Sequence, residues 1–263
     1  MRFTEAEFRS RVLFMDEDLL IIDKPFNLPV HYGTKSHDHL ELYLPWLQDG
    51  MEEPPRLAHR LDKDTTGCLV LGRHQKAASR MGKLFTMGYV VKSYLAVTVG
   101  APEPRTGTID LALSKQRVPG GSRVFVDAGG KESVTEYQVL AEADGLAWVE
   151  LHPRTGRMHQ LRAHLAAVGT PILGDVIYGD HPMPPLPIHL HARTITIPWG
   201  PRELPPLTVM APLPTHILAT LARLGINPDL YPPTLLPVPT VRADKPAPPS
   251  CPAPAESTPS GDA

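Results

Sequence analysis

Residues 1–225 predict an α+β fold in which a large antiparallel or mixed sheet carries a few flanking helices and loops. Three observations lead there. Short runs rich in β-branched and aromatic residues outnumber segments with helical periodicity. No strand–helix–strand rhythm of a doubly wound sheet runs through the chain. An Asp144-Gly145 pair stands between two β-rich runs, which is the signature of a tight hairpin.

In chain order, Leu19-Leu20-Ile21-Ile22 predicts a buried strand stopped by Asp23-Lys24-Pro25. Cys68-Leu69-Val70-Leu71 predicts a second. His74 to Met87 follows a helical pattern closed by Gly88. Tyr89 to Val99 reads as a strand ending at Gly100. Leu113 to Gly130, with Gly120-Gly121 and Gly129-Gly130, reads either as a mobile loop facing a partner or as a plain hairpin connection. Ser133 to Leu140 and Leu146 to Leu151 form the hairpin around Asp144-Gly145. Arg157 to Val168 predicts a helix, with Thr155 as its N-cap, Gly169 beyond its end, and Leu161, Leu165 and Val168 as its buried stripe. Ile188 to Ile197 is a late strand. The last 38 residues, 226–263, contain 11 prolines and predict a disordered tail outside the 1–225 domain.

Composition narrows the function classes. At 42% hydrophobic and 21% charged residues, the chain falls among ordinary globular proteins. No apolar run approaches the roughly 18 residues of a membrane span, and the first residues, MRFTEAEFRSRVLF, are too charged for a signal peptide. A cytoplasmic protein without membrane contact is expected. Cys68 lies in an apolar run and Cys251 in the Pro-rich tail, so neither a disulfide framework nor a CxxC zinc site is expected. With 26 Lys and Arg against 28 Asp and Glu the chain is near neutral, which weighs mildly against a nucleic-acid partner. The distribution weighs the other way. Arg56, His59, Arg60 and Lys63 cluster, and Arg154, Arg157, His159, Arg162 and His164 cluster without an acid among them. A fold that joins the two would have one basic face.

Three segments carry the chemistry. His59-Arg60-Leu61-Asp62-Lys63-Asp64-Thr65-Thr66-Gly67 crowds polar groups at a strand entrance, where a loop can present them. Taken alone it also fits a solvated turn. A metal site is disfavoured by the cations on either side of the carboxylates. In Lys92-Ser93-Tyr94-Leu95-Ala96-Val97, Lys92, Tyr94 and Ala96 share one strand face, and Tyr94 alone fits a core aromatic equally well. In Thr155-Gly156-Arg157-Met158-His159-Gln160-Leu161-Arg162, His159 and Arg162 lie three apart on neighbouring faces, off the apolar stripe. This fits an anion or RNA site, or a solvated basic helix face. His37-x-His39 and His189-x-His191 have metal-like spacing, but a pair of histidines alone is more often structural, and no metal is assigned.

Together, HRLDKDTTG, KSYLAV and TGRMHQLRAHL, followed by Gly169-Thr170-Pro171-Ile172-Leu173-Gly174-Asp175 and Tyr178-Gly179, resemble the RluA family of RNA pseudouridine synthases in order and spacing. Asp23-Lys24-Pro25, Thr135-Glu136-Tyr137 and Leu190-His191-Ala192 agree. The resemblance spans roughly residues 12–215 and implies the pseudouridine synthase fold. Some members carry a further N-terminal RNA-binding domain. Family-like sequence begins within the first twenty residues here, so none is expected.

The resemblance implies an isomerase that converts selected uridines of structured RNA, ribosomal or transfer, to pseudouridine. The N1–C1′ bond breaks, the uracil turns, and C5 bonds to C1′. Nothing is oxidised and no group is added or lost, so no cofactor is expected. The resemblance assigns Asp62 as the catalytic carboxylate and leaves open whether it adds to C1′, adds to the base or removes a ribose proton. It assigns Arg162 as the cation paired with Asp62, expected as a hydrogen-bonded ion pair, and places Tyr94 beside the base. Arg60 is assigned to the space left by the extruded uridine. His59 is expected to orient the loop, and Lys63, Arg154 and Arg157, beside His159, to contact RNA. A monomer is expected, because no apolar interface is evident. Two other classes compete. One is a noncatalytic RNA-binding or chaperone protein on the same fold, against which the intact Asp62, Tyr94 and Arg162 set argues. The other is a metal-dependent hydrolase, which full activity in excess chelator would exclude.

Overall fold

The structure, a computed structural model, describes residues 1–33, 37–118, 121–179, 186–200 and 205–239. Its frame is one sheet of ten strands. In chain order the elements are α1 (Glu5–Arg9), β1 (Val12–Met15), β2 (Leu19–Lys24), β3 (Arg56–Leu57), β4 (Thr66–Gly72), α2 (Gln75–Met87), β5 (Val91–Val99), β6 (Thr106–Asp110), β7 (Leu113–Val118), β8 (Gly121–Val126), β9 (Val134–Ala143), β10 (Leu146–Pro153), α3 (Gln160–Ala167), β11 (Leu190–Ile197), β12 (Leu207–Met210) and α4 (Thr215–Arg223). The sheet order is β1-β2-β4-β11-β5-β10-β9-β6, with β3 beside β4 and β12 beside β11, while β7 and β8 form a separate two-stranded sheet. The α+β architecture with a large mixed sheet and few helices is the one the sequence predicts.

The central strands are apolar without interruption because both sheet faces are covered. Leu19, Ile21, Cys68 and Val70 pack on one side with Met81 and Leu84 of α2. Leu20, Ile22, Leu69 and Leu71 pack on the other with Leu40, Tyr43 and Leu47. Helix α2 begins and ends where the sequence places it. The His74 side chain caps the Ala77 amide, and Gly88 closes the last turn in the left-handed region at φ 73°.

Among the described strands, β4 and β11 make the one parallel pair, with His191 opposite Thr66 and Ala192 opposite Gly67. This seam positions the site. On its far side Ala192 is opposite Tyr94 of β5, so the entrance of β4 and the Tyr94 segment sit one strand apart. Gly67 makes the seam possible. Its φ is +105°, and a Cβ there would lie 2.2 Å from the Ala192 carbonyl oxygen.

Three expectations need correction. The helix expected over 157–168 is α3, Gln160–Ala167, and its N-cap is His159 in the left-handed region at φ 53°. Thr155 does not cap it. Its hydroxyl accepts the Val134 amide at 3.0 Å and donates to Gln160 Oε1 at 2.7 Å, so β9 has claimed the cap. Leu161 and Leu165 are buried, but Val168 is exposed, because the helix ends before it. The expected tail boundary at 226 does not hold for the first residues beyond it. Ile226 is buried against Trp148, Ile217 and Leu221, and Thr234 gives its amide and hydroxyl to the buried Glu150 carboxylate at 2.9 and 2.6 Å. The rest of the expected tail, 240–263, with Cys251, lies outside the described residues. The Leu113–Gly130 segment contains the β7–β8 hairpin; residues 119–120 lie outside the described residues.

Candidate active site

The three segments singled out in the sequence line one cleft of about 1030 Å³. The loop before β4 supplies His59, Arg60, Leu61 and Asp62. Strand β5 supplies Lys92 and Tyr94. The approach to α3 supplies Arg154 to Arg162. Lys115 enters from β7 and Leu190 from β11.

The Asp62 loop is held from below by Lys24. This side chain has no exposed surface, and its ammonium donates to the carbonyls of Pro25, Leu28 and Lys63 at 2.8, 3.0 and 2.9 Å. Burial lowers its pKa to about 7, while the charges of Asp64, Asp62 and Asp23 oppose that shift. The Leu28 amide also donates to the Lys63 carbonyl, at 3.1 Å. The residue after Asp62 is therefore tied to the end of β2 and the turn beyond it. In the sequence Lys24 stands just past a buried apolar run, and the Asp23-Lys24-Pro25 match did not by itself reveal its task.

His59 orients the loop as expected. Its Nε2 accepts the Val70 amide at 2.9 Å, and its ring stacks on Phe85 with centroids 4.3 Å apart. Burial, then the nearby Lys92 charge, lowers its pKa to about 3, so the ring is neutral.

Tyr94 faces the cleft from β5. Burial, then the Asp62 charge, pushes its phenol well above the ordinary tyrosine range. Lys92 stands two residues earlier on the same face. Burial lowers its pKa to about 8, and its Nζ lies 3.8 Å from where a Cβ of Gly156 would be. A cation inside the cleft was not foreseen from the KSY segment beyond its place on the strand.

Arg162 departs from expectation. It makes no hydrogen-bonded pair with Asp62. Its Nε and Nη2 each donate to the Asp175 carboxylate at 2.7 Å. Asp175 Oδ1 also accepts the amides of Ile177 and Tyr178 at 2.9 and 3.1 Å. The reason lies in desolvation. The Asp175 side chain is wholly buried and needs a full counter-charge, whereas the Asp62 side chain is 22% exposed. Arg162 is also buried, not on the solvated face the helical spacing suggested. Burial acts to lower the Arg162 pKa, but the hydrogen bond and charge of Asp175, joined by the charge of Asp62, raise it. Its charge thus acts on Asp62 without direct contact. The basic group within 4 Å of Asp62 is His159, with Nε2 3.8 Å from Oδ1.

The arginines and lysine expected to contact RNA, together with Lys92 and Lys115 that the structure adds to the cleft, divide into two sets. Arg154 is committed to Glu136 through two contacts of 2.8 and 2.7 Å. Arg60, Lys63, Lys92, Lys115 and Arg157 form no ion pair among the described residues, and Arg157 touches only the Glu132 carbonyl, at 3.0 Å, through its guanidinium. The histidine pairs behave as structural residues. His189 bonds the Pro187 carbonyl and the Thr220 hydroxyl, and His191 bonds the Thr66 hydroxyl. No group of three metal-ligating side chains occurs among the described residues.

A cleft with the part-exposed Asp62 carboxylate inside it, Glu132 at its exposed edge, a protonated phenol and cations free of ion pairs suits a polar, anionic substrate. Comparisons with known proteins agree. Residues 18–167 match the family model described as RNA pseudouridylate synthase. An uncharacterised RNA pseudouridine synthase of Zymomonas mobilis is 43% identical over 208 residues, covering 78% of this chain and 94% of that protein. The human mitochondrial pseudouridylate synthase RPUSD4 is 33% identical over 261 residues, covering 82% of this chain and 69% of that protein. Among solved structures, human RNA pseudouridylate synthase domain containing 4 matches with a TM-score of 0.72 at 32% identity, covering 84% of this chain and 95% of that one. Human RNA pseudouridylate synthase domain containing 1 matches with a TM-score of 0.64 at 27% identity, covering 76% and 82%.

Proposed function

From the chain's membership of the RNA pseudouridylate synthase family, in its RluA branch, we propose that it isomerises specific uridines of ribosomal or transfer RNA with Asp62 as the catalytic carboxylate. The observation that carries this reading is the convergence of Asp62 and Tyr94 on one cleft across the β4–β11–β5 seam.

The residues divide the work as follows. Asp62 is the cleft's nucleophile or base, ionised and aimed at the bound nucleotide by a loop that Lys24 fixes. Arg162, neutralised by Asp175, holds the floor and contributes positive potential. Tyr94 offers an apolar ring to stack on uracil. Its phenol stays protonated, so it passes on the C5 proton only by giving up its own as it accepts one, or through water. The atoms balance without a co-reactant: N1–C1′ breaks, C5–C1′ forms, C5 loses a proton and N1 gains one.

A uridine in folded RNA must leave its stack to reach Asp62, at a cost of a few kcal/mol. Arg60, exposed at the cleft edge, is placed to fill the vacated space. Lys63, Lys115 and Arg157 supply phosphate contacts around it.

The test is pseudouridine mapping at single-nucleotide resolution on total RNA from cells lacking the protein and from cells complemented with wild type or Asp62→Asn. One or a few sites should vanish and return only with wild type. Sites restored equally by Asp62→Asn would remove Asp62 from the chemistry, and no change at any site would favour the noncatalytic RNA-binding reading.

A further inference from the structure

His159 touches two parts of the molecule that the chain keeps far apart. Its Nε2 lies 3.8 Å from Asp62 Oδ1. Its Nδ1 lies 3.1 Å from the Tyr178 hydroxyl, with the two rings edge to face at 5.8 Å. The same hydroxyl receives the backbone N–H of Val124, on β8, at 3.0 Å. Val124 is held there by the packing of Leu113, Val124, Ala163 and Tyr178.

The directions of these bonds follow from what each group can do. An amide only donates, so Val124 occupies a lone pair of the phenol oxygen and leaves the phenol hydrogen for Nδ1. A neutral imidazole whose Nδ1 accepts carries its one hydrogen on Nε2, facing Asp62. Burial is the first cause favouring the neutral ring, and the charges of Arg162 and Arg60 act the same way, against those of Asp62 and Asp175. Tyr178 is faced by Arg123, 4.9 Å from its ring centroid, by Arg162 at 5.4 Å, and by Asp175. The backbone of His159 is itself held at φ 53°, a conformation a non-glycine residue keeps only when its surroundings require it.

We propose that Tyr178 and His159 are positioning residues that present one fixed hydrogen-bond donor to the Asp62 carboxylate, with the tautomer set by the backbone of the β7–β8 hairpin. The separation of 3.8 Å exceeds a hydrogen bond, and a small movement of the carboxylate as the cleft fills closes it. The proposal rests on Asp62 as the catalytic carboxylate. Lys115 of the same hairpin lines the cleft, so RNA that contacts the hairpin reaches the carboxylate through this chain of bonds.

The experiment uses the full chain and has two readouts. Nitrogen NMR of the imidazole rings should show His159 in the Nε2–H form in wild type and lose that preference in Tyr178→Phe, which keeps the packed ring and removes only the hydroxyl. Single-turnover rates on substrate RNA should fall about tenfold in Tyr178→Phe, the effect of one hydrogen bond, with RNA affinity unchanged and the rate measured well below a melting temperature that falls because the Val124 amide loses its acceptor. In a His159→Gln background, Tyr178→Phe should cause no further loss. A wild-type His159 protonated on Nδ1, or rate losses that multiply in the double variant, would overturn the proposal. Full activity of Asp62→Asn would instead remove the reading beneath it and leave the NMR result standing on its own.

Discussion

Arg162 grips Asp175, not Asp62, with both guanidinium contacts at 2.7 Å and both side chains buried. The pair therefore serves the floor of the cleft before it serves the reaction. Removing Arg162 leaves a buried carboxylate without its counter-charge.

Arg162→Ala is accordingly expected to destabilise the fold by about 3–5 kcal/mol, read from urea unfolding. Arg162→Lys should recover only part of this, because a point charge cannot replace two parallel donors. An Arg162→Ala protein that is inactive yet as stable as wild type would return Arg162 to the role of a direct Asp62 partner.

Lys24 gives a pH signature. Its folded pKa, about 7, lies below the ordinary 10.5. Between those values the unfolded chain binds the extra proton, so the Lys24 contribution to stability rises with pH across that window, by at most about 1.4 kcal/mol per unit. It is least favourable below pH 7, where the buried amine must carry its charge. Urea unfolding at pH 7 to 9 should show a shallower rise in Lys24→Met than in wild type. Catalysis should fall with it, because the Pro25, Leu28 and Lys63 carbonyls lose their donor. Parallel pH dependences in the two proteins would exclude the linkage.

Gly67→Ala tests the parallel seam. The new methyl carbon would lie 2.2 Å from the Ala192 oxygen at a φ of +105°, so β4 and β11 must part or the backbone must bend. A loss of about 3 kcal/mol or more is expected, visible as a lower melting temperature. Gly145→Ala is the milder control, since nothing lies within 4 Å of its Cβ position.

Salt dependence separates the rim cations. Each phosphate contact removed should lower the slope of log affinity against log salt by about 0.7–0.9. Arg157→Ala and Lys63→Ala are expected to show this in filter binding to substrate RNA. Arg154→Ala should show less, because Glu136 already neutralises its guanidinium. Equal slopes for wild type and Arg157→Ala would take Arg157 off the RNA path.

Much of this protein is readable before it is folded. Leu19–Ile22 and Cys68–Leu71 announce strands buried on both faces, Asp144-Gly145 sets a hairpin, and Gly88 ends α2, because each depends on residues adjacent in the chain. The motifs also brought Asp62, Tyr94 and Arg162 forward together, and the fold gathers them in one cleft.

Partner choice was not readable in the same way. Helical spacing put Arg162 on an open face and gave Thr155 the cap, and it carried no information that a buried Asp175 or the Val134 amide would compete for them. Sequence reading placed Lys24 at the stop after a strand, and showed neither that β2 runs through it nor its three carbonyls. Local sequence thus determined the elements, the order of the motifs and which side chains meet in the cleft. Only the tertiary structure decided which charge meets which, because desolvation ranks the buried groups and only the packed chain sets how deeply each is buried.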